Sequence, residues 1–266
     1  MLSYEFMQKA FIVGIALSLI MPLIGMVIVL RRLSMVGDSL SHSSLAGITA
    51  GLAFGFNPIV GAVASTLLAA FGIEAVRKRM PRYSDMAIAI ITSAGLGLTG
   101  ILTSFVKDST SFNSFLFGSI VTITTFELGL VLALALVVFL SLWFLSRELF
   151  IISLDPRSAI ISGIPVGLVN TVFTILIALT IAIASRTVGA LIVSSIMVIP
   201  VASAMQIASS YKKTRTLALV LAVFSTIVGL SLSFYLGLKP GASIVMVEVL
   251  ILIISLVYKG LKKDDN

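Results

Sequence analysis

The sequence predicts an all-α, multi-pass membrane protein, on two grounds of composition and one of pattern. Hydrophobic residues make up 59% of the 266 residues and charged residues only 11%, whereas a soluble domain has about 25% charged residues. The mean hydropathy of +1.18 excludes a disordered chain, which needs low hydrophobicity and high charge. The apolar segments are unbroken runs and do not alternate with polar residues, so they predict helices and not a transmembrane β-barrel.

Nine apolar runs, separated by charged breaks, approach the length of about 20 residues that a bilayer crossing requires. The predicted spans are residues 9–30, 34–56, 58–75, 86–106, 126–146, 165–185, 188–208, 216–237 and 241–258. The second span contains Asp38 and His42, and a re-entrant second segment would reduce the number of spans to eight. Short connections join the spans, so residues 1–266 are expected to form one transmembrane domain.

The basic residues predict the orientation of the spans. If the N-terminus is outside, 14 of the 18 Lys and Arg residues lie on the cytoplasmic side and only 4 lie outside, namely Lys9, Lys107, Arg186 and Lys239. Cytoplasmic loops of membrane proteins are enriched in Lys and Arg. The bias therefore predicts an outside N-terminus and a cytoplasmic C-terminus. It also explains the net charge of +7 without a nucleic-acid partner.

The longest cytoplasmic connection, residues 147–164, carries signals for a short helix. Asp155 followed by Pro156 is typical of an N-cap and a first helical residue, and Gly163 suits the end of a helix. A partly apolar helix at this surface must pack against something. The residues alone leave two interpretations open: it covers the ends of the chain's own helices, or it docks a cytoplasmic partner.

The chain has no motif for catalysis or for nucleotide hydrolysis. It lacks HExxH, GxSxG and Walker A sequences, and it has no cysteine and one histidine. We therefore expect that this chain has no ATPase site of its own and no permanently bound cofactor.

The histidine, His42, follows Asp38 by four residues, so both share one face of a helix, with Ser34 and Ser41 on or near that face. Ionisable residues inside a membrane usually face the bundle interior or an aqueous cavity. The pair could be a structural hydrogen bond, a proton relay or a site for a divalent transition metal. Two ligands from one chain are too few to hold a metal, so the metal interpretation implies a homodimer.

Further residues are candidates for helix packing or for the pathway. Gly47, Gly51 and Gly55 recur every four residues, which allows close helix approach. Pro200, in a serine-rich segment that includes Ser195, predicts a kink. Glu248 lies in the middle of the last span, where a neutral structural acid is favoured over a pathway residue.

Six segments, taken in order, resemble the membrane permease subunit of ABC importers for zinc and manganese, the ABC-3 or metal-chelate-type permease family. They are Leu30–Gly47, Ser84–Leu98, Phe115–Ile120, Leu154–Val166, Val188–Ala204 and Leu236–Val245. The resemblance extends from about Tyr4 to Tyr258, and the opening segment Met1–Phe11 is most similar to zinc members from Gram-positive bacteria.

The resemblance implies a homodimer with the type II (vitamin B12 transporter-like) importer fold in the cell membrane. It also implies two copies of a cytoplasmic ATPase and an extracellular metal-binding lipoprotein. Asp38 and His42 correspond to the intramembrane metal residues of the family. The residues implied in ATPase coupling are Asp155, Pro156, Arg157, Ala159 and Gly163.

The expected function is inward transport of Zn²⁺, with Mn²⁺ next. Two other classes remain open. A permease for a metal chelate would need no direct ligands, and a proton-coupled secondary transporter would use Asp38, His42 and Glu248 as a relay and need no ATPase.

Overall fold

The computed structural model describes residues 3–80, 83–106, 116, 118, 123–190 and 192–264. Within these ranges the chain is helical and contains no strand. The helices are α1 (Glu5–Leu30), α2 (Val36–Phe54), α3 (Pro58–Arg79), α4 (Ser84–Thr103), α5 (Thr125–Phe144), α6 (Ser146–Leu154), α7 (Pro156–Ile161), α8 (Val166–Ala184), α9 (Val193–Ile207), α10 (Tyr211–Leu236) and α11 (Pro240–Asp264).

Each of the nine predicted spans coincides with a helix, and the all-α membrane fold is confirmed. Seven helices of the described chain are long and apolar enough to cross a bilayer: α1, α3, α4, α5, α8, α10 and α11. The second predicted span forms the continuous helix α2 of 19 residues, whose polar side chains lower its hydropathy. A helix of this length extends about 28 Å, close to the thickness of the hydrocarbon core.

The seventh predicted span, residues 188–208, is shorter than expected. A π-helical turn, Ser185–Gly189, follows α8, and Gly189 has a φ of 106°. This backbone conformation interrupts the helix, so α9 starts only at Val193 and has 15 residues.

The helices form two groups, one around α1 and one around α2. α1 packs against α5, α9 and α10. The helix α2 packs against α3 and α4 and has further contacts with α8 and α9. The largest fully buried side chains of α1 are Leu17, Ile20, Met21, Ile24 and Ile28.

Small residues bring α2 and α3 into backbone contact. A side chain at Gly47 would overlap the carbonyl of Gly61, and a side chain at Gly61 would overlap the carbonyl of Gly47. Gly51 lies against Pro58 at the start of α3. The predicted packing role thus agrees with the positions of Gly47 and Gly51.

Gly55 differs from the other two glycines. It caps the C-terminus of α2 with a φ of 76°, and a side chain there would meet open space. A positive φ favours glycine at this position, because only glycine adopts the left-handed conformation at no steric cost. Its structural role is therefore the helix end and not helix packing.

The connection at residues 147–164 contains two short helices where the sequence predicted one. α6 continues from α5 after a break at Leu145, and α7 follows at Pro156. α7 has six residues. Of the segment Phe115–Ile120, which contributes to the family resemblance, only Leu116 and Gly118 lie within the described residues.

Candidate functional site

Asp38 and His42 lie in the first two turns of α2. Measured along the helix axis, they lie about 3 Å and about 9 Å beyond its first residue, Val36. Most of α2 is buried against its neighbours, but the side chains of Asp38 and His42 keep 36% and 15% of their surface exposed. The structure therefore places two accessible ionisable groups on a helix that is otherwise packed inside protein.

The side chains of Asp38 and His42 lie next to each other. The Nε2 atom of His42 and the Oδ1 atom of Asp38 are 3.7 Å apart, longer than a hydrogen bond. Two ligands of one tetrahedral zinc ion, with bonds of about 2.1 Å, are about 3.4 Å apart. The observed separation is thus closer to that of two ligands of a shared cation than to that of a hydrogen-bonded pair.

The serines near Asp38 and His42 differ from the pair, because their hydroxyl groups bond to the helix backbone or lie outside the helix. The buried hydroxyl of Ser41 donates to the Gly37 carbonyl at 2.8 Å, and that of Ser43 donates to the Ser39 carbonyl at 2.9 Å. Ser34 lies before the helix and is exposed. Since these serine hydroxyls serve the helix backbone or lie outside the helix, the polar stripe reduces to Asp38 and His42.

Helices α4 and α9 fix the backbone around the pair. A side chain at Gly95 of α4 would press on the backbone of His42 and Ser43. A side chain at Gly37 would press on Ser194 and Met197 of α9. The helix that carries Asp38 and His42 therefore has little freedom to shift against α4 or α9.

The predicted pathway residues of α9 lie beside this contact. Ser195 is partly exposed, next to Ser194, and Pro200 is buried one turn beyond Met197. On the other side of α9, a side chain at Gly25 of α1 would overlap the carbonyl of Met197. The structure brings the Pro200 segment close to α1 and to the start of α2, but no contact links Ser195 or Pro200 directly to Asp38 or His42.

Glu248 lies in a separate part of the bundle. It is on α11, which packs against α9 and α10, and only 1% of it is exposed. Gly229 of α10 contacts Ile244, one helical turn before Glu248. Neither carboxylate oxygen has a hydrogen-bond partner within the described ranges. The structure does not bring Glu248 to the Asp38–His42 pair.

The N-cap predicted in the connection at residues 147–164 is present. The Asp155 carboxylate accepts hydrogen bonds from the backbone N–H of Arg157 at 2.9 Å and from the hydroxyl of Ser158 at 2.6 Å. The Ser158 hydroxyl and the Arg157 N–H lower the pKa of this carboxyl. Pro156 occupies the first turn, and Gly163 has a φ of 77° after the helix end.

One face of α7 packs on the chain itself and the other is open. Ala159 is completely buried in the main hydrophobic core. Ile160 and Ile161 are 63% and 87% exposed, and Arg157 is also exposed. Both interpretations of the loop therefore have support: α7 is anchored to the bundle and still presents apolar side chains outward.

A contact that sequence reasoning missed joins this region to the transmembrane helices. Arg31, at the end of α1, donates from Nε to the Ser153 hydroxyl of α6 at 3.2 Å and from a terminal nitrogen to the Asn170 carbonyl oxygen of α8 at 2.9 Å. Its guanidinium also lies 5.2 Å from the ring centroid of Phe173. The sequence signal was an arginine directly after the first predicted span, which was interpreted as a positive-inside charge and as part of the resembling segment Leu30–Gly47, but not as a contact between helices.

A second missed contact lies at the opposite end of the bundle. Arg186, in the π-helical turn, forms an ion pair of 3.0 Å with Glu127 near the start of α5. Glu127 also completes a capping box with Thr124. The motif Thr-x-x-Glu before an apolar run is the signal that could have identified this helix start.

Comparisons with known proteins agree over nearly the whole chain. The model of the ABC 3 transport family matches residues 3–259. A probable metal transport system membrane protein of Treponema pallidum is 34% identical, with 98% of each chain covered. The manganese transport system membrane protein MntC of Listeria monocytogenes is 30% identical, with 97% of this chain and 92% of MntC covered.

A third relative is the high-affinity zinc uptake system membrane protein ZnuB of Haemophilus influenzae, 29% identical with 95% of this chain and 97% of ZnuB covered. Among solved structures, PsaBC of Streptococcus pneumoniae in complex with Fab has a TM-score of 0.84 at 28% identity and covers 95% of this chain and 91% of that one.

An inward-facing metal-chelate type ABC transporter supports the same fold, with a TM-score of 0.71 at 20% identity and coverage of 95% of this chain and 87% of that one. The helical bundle, the order of its elements and the family match over residues 3–259 lead to one conclusion. The chain is a multi-pass membrane permease that belongs to the ABC-3 transport family.

Proposed function

We propose that this chain is the membrane subunit of an ABC importer that carries a divalent transition metal ion inward, with Zn²⁺ favoured over Mn²⁺. The observation that carries the proposal is the Asp38–His42 pair. Its two side chains are accessible, have no hydrogen-bond partner in the described chain and are 3.7 Å apart. The metal is the transported substrate, and no permanently bound cofactor is proposed.

One copy of the chain offers too few ligands for a stable complex. No cluster of three or more His, Cys, Asp or Glu side chains occurs in the part of the chain that the structure describes. Two copies related by a two-fold axis would supply two carboxylates and two imidazoles, a complete set of four. We therefore propose a homodimer whose axis passes close to Asp38 and His42.

The choice between zinc and manganese rests on ligand chemistry. Four ligands, two of them imidazoles, suit tetrahedral Zn²⁺, whereas Mn²⁺ favours octahedral sites rich in oxygen ligands. Manganese remains a second candidate, because the MntC relative carries that metal in its name at an identity similar to that of the ZnuB relative.

We further propose that α6 and α7 couple the permease to a cytoplasmic ABC ATPase, one copy on each protomer. The exposed Ile160 and Ile161 suit an apolar docking surface, and Asp155 fixes the start of α7. Arg31 connects α6 with the end of α1, which directly precedes the helix that carries the metal residues. A metal-binding lipoprotein would deliver the ion from the opposite side, where the N-terminus lies.

Uptake by reconstituted proteoliposomes tests the proposal. Permease and ATPase are reconstituted with ATP on the cytoplasmic side, the binding protein is added on the other side, and radioactive zinc uptake is measured with excess unlabelled zinc or manganese as competitor. We expect ATP-dependent uptake that zinc suppresses more strongly than manganese.

The alternatives give different results in the same assay. Uptake driven by a proton gradient without ATP would identify a secondary transporter. Uptake of a metal chelate but not of the delivered ion would identify a chelate permease. If variants in which Asp38 or His42 is replaced take up metal as fast as the wild type does, the pair is not the metal site.

A further inference from the structure

A cavity of about 220 Å³ lies against α1, away from the contacts that hold the Asp38–His42 helix. It is lined by α1, α5 and α10 and by Ser146 and Leu149 of α6. α5 and α10 each pack on α1, whereas α2 packs on α3 and α4. The cavity is far larger than the about 15 Å³ that one water molecule needs, so it offers room for part of a larger molecule.

The cavity changes from apolar to polar along its length. Its apolar lining includes Leu23, Met26, Phe139, Leu142 and Leu219. At the end where α5 stops and α10 starts, Trp143, Ser146, Tyr211, Arg215 and Thr216 line it. An apolar stretch below a rim of aromatic and basic groups matches the profile of a membrane interface.

The rim carries several basic side chains. The Arg215 guanidinium lies 5.9 Å from the ring centroid of Trp143 and forms no ion pair with a carboxylate in the described chain. Lys212 and Lys213 lie in the first turn of α10 outside the cavity lining, and Arg147 follows the end of α5 beside the acid Glu148. A guanidinium held over an indole ring keeps its planar edge available for a phosphate.

The position of the cavity also makes it stable and accessible. The rings of Phe150 and Tyr211, with centroids 4.4 Å apart, join α6 to the start of α10 beneath it. Phe139, Trp143 and Thr216 are exposed on the outer side of the bundle. The cavity is therefore a groove bounded by α1, α5 and α10, with three of its lining side chains exposed at the surface of the chain.

We propose that this groove, defined by Leu23, Phe139, Trp143, Arg215 and Leu219, is a specific binding site for one anionic phospholipid. The lipid phosphate pairs with Arg215 at the basic rim, and an acyl chain lies along the apolar part between α5 and α10. Basic pockets between transmembrane helices are known to recognise anionic head groups. This site is independent of the metal function and does not depend on its outcome.

Thermal unfolding of the purified full-length permease in detergent tests the site, with phosphatidylglycerol or phosphatidylcholine added at equal concentration. The variants are Arg215→Gln, which removes the rim charge, and Leu219→Trp, which fills the apolar part. Lys213→Gln is the matched control, because it removes the same charge from an exposed residue on the same helix that does not line the groove.

We expect phosphatidylglycerol to raise the Tm of the wild type and of Lys213→Gln more than phosphatidylcholine does. Arg215→Gln should lose most of this difference, and Leu219→Trp should show a smaller rise with either lipid. Native mass spectrometry should show one co-purified anionic lipid per protomer in the wild type and fewer in Arg215→Gln.

Three outcomes would overturn the proposal. An equal loss in Lys213→Gln and Arg215→Gln would reduce the effect to general surface charge. An equal Tm rise with glycerol phosphate alone would assign the rim to free phosphate and leave the apolar groove without a role. An unchanged lipid count and lipid preference in Arg215→Gln would place the lipid elsewhere.

Discussion

Two carboxylates of the helical bundle, Asp38 of α2 and Glu248 of α11, occupy opposite environments. Asp38 keeps 36% of its side chain exposed beside His42, whereas Glu248 is 1% exposed and packed among α9, α10 and α11. Both are costly in a membrane. Since only Asp38 has an accessible partner that could share a cation, we expect accessibility to separate a transport residue from a structural one better than the mere presence of a charge does.

The largest expected effect is the loss of transport in Asp38→Ala and in His42→Ala. In a two-fold dimer, each substitution removes two of the four proposed ligands, so metal uptake in the proteoliposome assay should fall to background. Ser41→Ala is the matched control, because its hydroxyl bonds only to the backbone of its own helix, and it should retain uptake.

Size-exclusion chromatography of the same variants shows whether the dimer remains folded. If folded Asp38→Ala and His42→Ala dimers transport metal as well as the wild type does, the pair is structural and its contrast with Glu248 disappears.

The next largest effect concerns the helix that holds Asp38 and His42 in place. Gly47→Ala adds a Cβ that overlaps the Gly61 carbonyl, so α2 and α3 must separate. Overpacking of this kind costs about 1–3 kcal/mol, and the Tm should fall clearly. Gly97→Ala, on α4 where a Cβ meets open space, is the control and should leave the Tm nearly unchanged. Equal Tm values for both variants would show that the α2–α3 contact is loose.

An intermediate effect is expected at a third acid, Asp155, which lies outside the bundle. Asp155→Ala removes the cap of α7 and should reduce, without abolishing, the stimulation of the ATPase by the permease. Asp155→Asn keeps the acceptor oxygen and should be nearly normal. Stimulated hydrolysis by the purified complex is the measurement, and full stimulation with Ala would move the docking surface away from α7.

The cap also has a predictable pH dependence. Its hydrogen bonds lower the pKa of Asp155, so its stabilising contribution is present at neutral pH and is lost only when the pH falls through the folded pKa. The loss of ATPase stimulation in Asp155→Ala, relative to the wild type, should therefore be equal at about pH 6 and about pH 8. A loss of stimulation at about pH 8 but not at about pH 6 would contradict the lowered pKa of the Asp155 carboxyl group.

The smallest effect is expected at Glu248. Glu248→Gln keeps the shape of a protonated carboxyl group, so uptake should stay within about two-fold of the wild type, because no buried partner is left unpaired. Glu248→Ala leaves a void and should lower the Tm more than Gln does. If folded Gln and Ala variants both lose uptake, Glu248 belongs to the pathway and resembles Asp38 after all.

The sequence predicted the positions of the helices well, because bilayer crossing imposes long apolar runs that can be counted. It also predicted the cap at Asp155 and the left-handed Gly163, since both depend on a few adjacent residues. The start of α9 was predicted about five residues too early, because hydropathy does not report backbone breaks such as the π-helical turn before Gly189.

The environment of the site residues was less predictable. Helical spacing placed Asp38 and His42 together, but it also placed Ser41 with them, and only the structure shows that the serine hydroxyl is occupied by its own backbone. The Arg31–Asn170 contact joins residues 139 positions apart. Such a contact depends on tertiary packing, for which a single sequence offers no local signal.

The backbone contact between Gly47 and Gly61 has a mechanical consequence for transport. No side chain separates the two helices there, so α2 can neither slide along α3 nor rotate against it without breaking that contact. The α2–α3 hairpin should therefore move as one rigid lever, with Asp38 and His42 fixed to it. Any swing of this lever requires a hinge, and the connection before α2, where Arg32 has a φ of 56°, is the joint available to it.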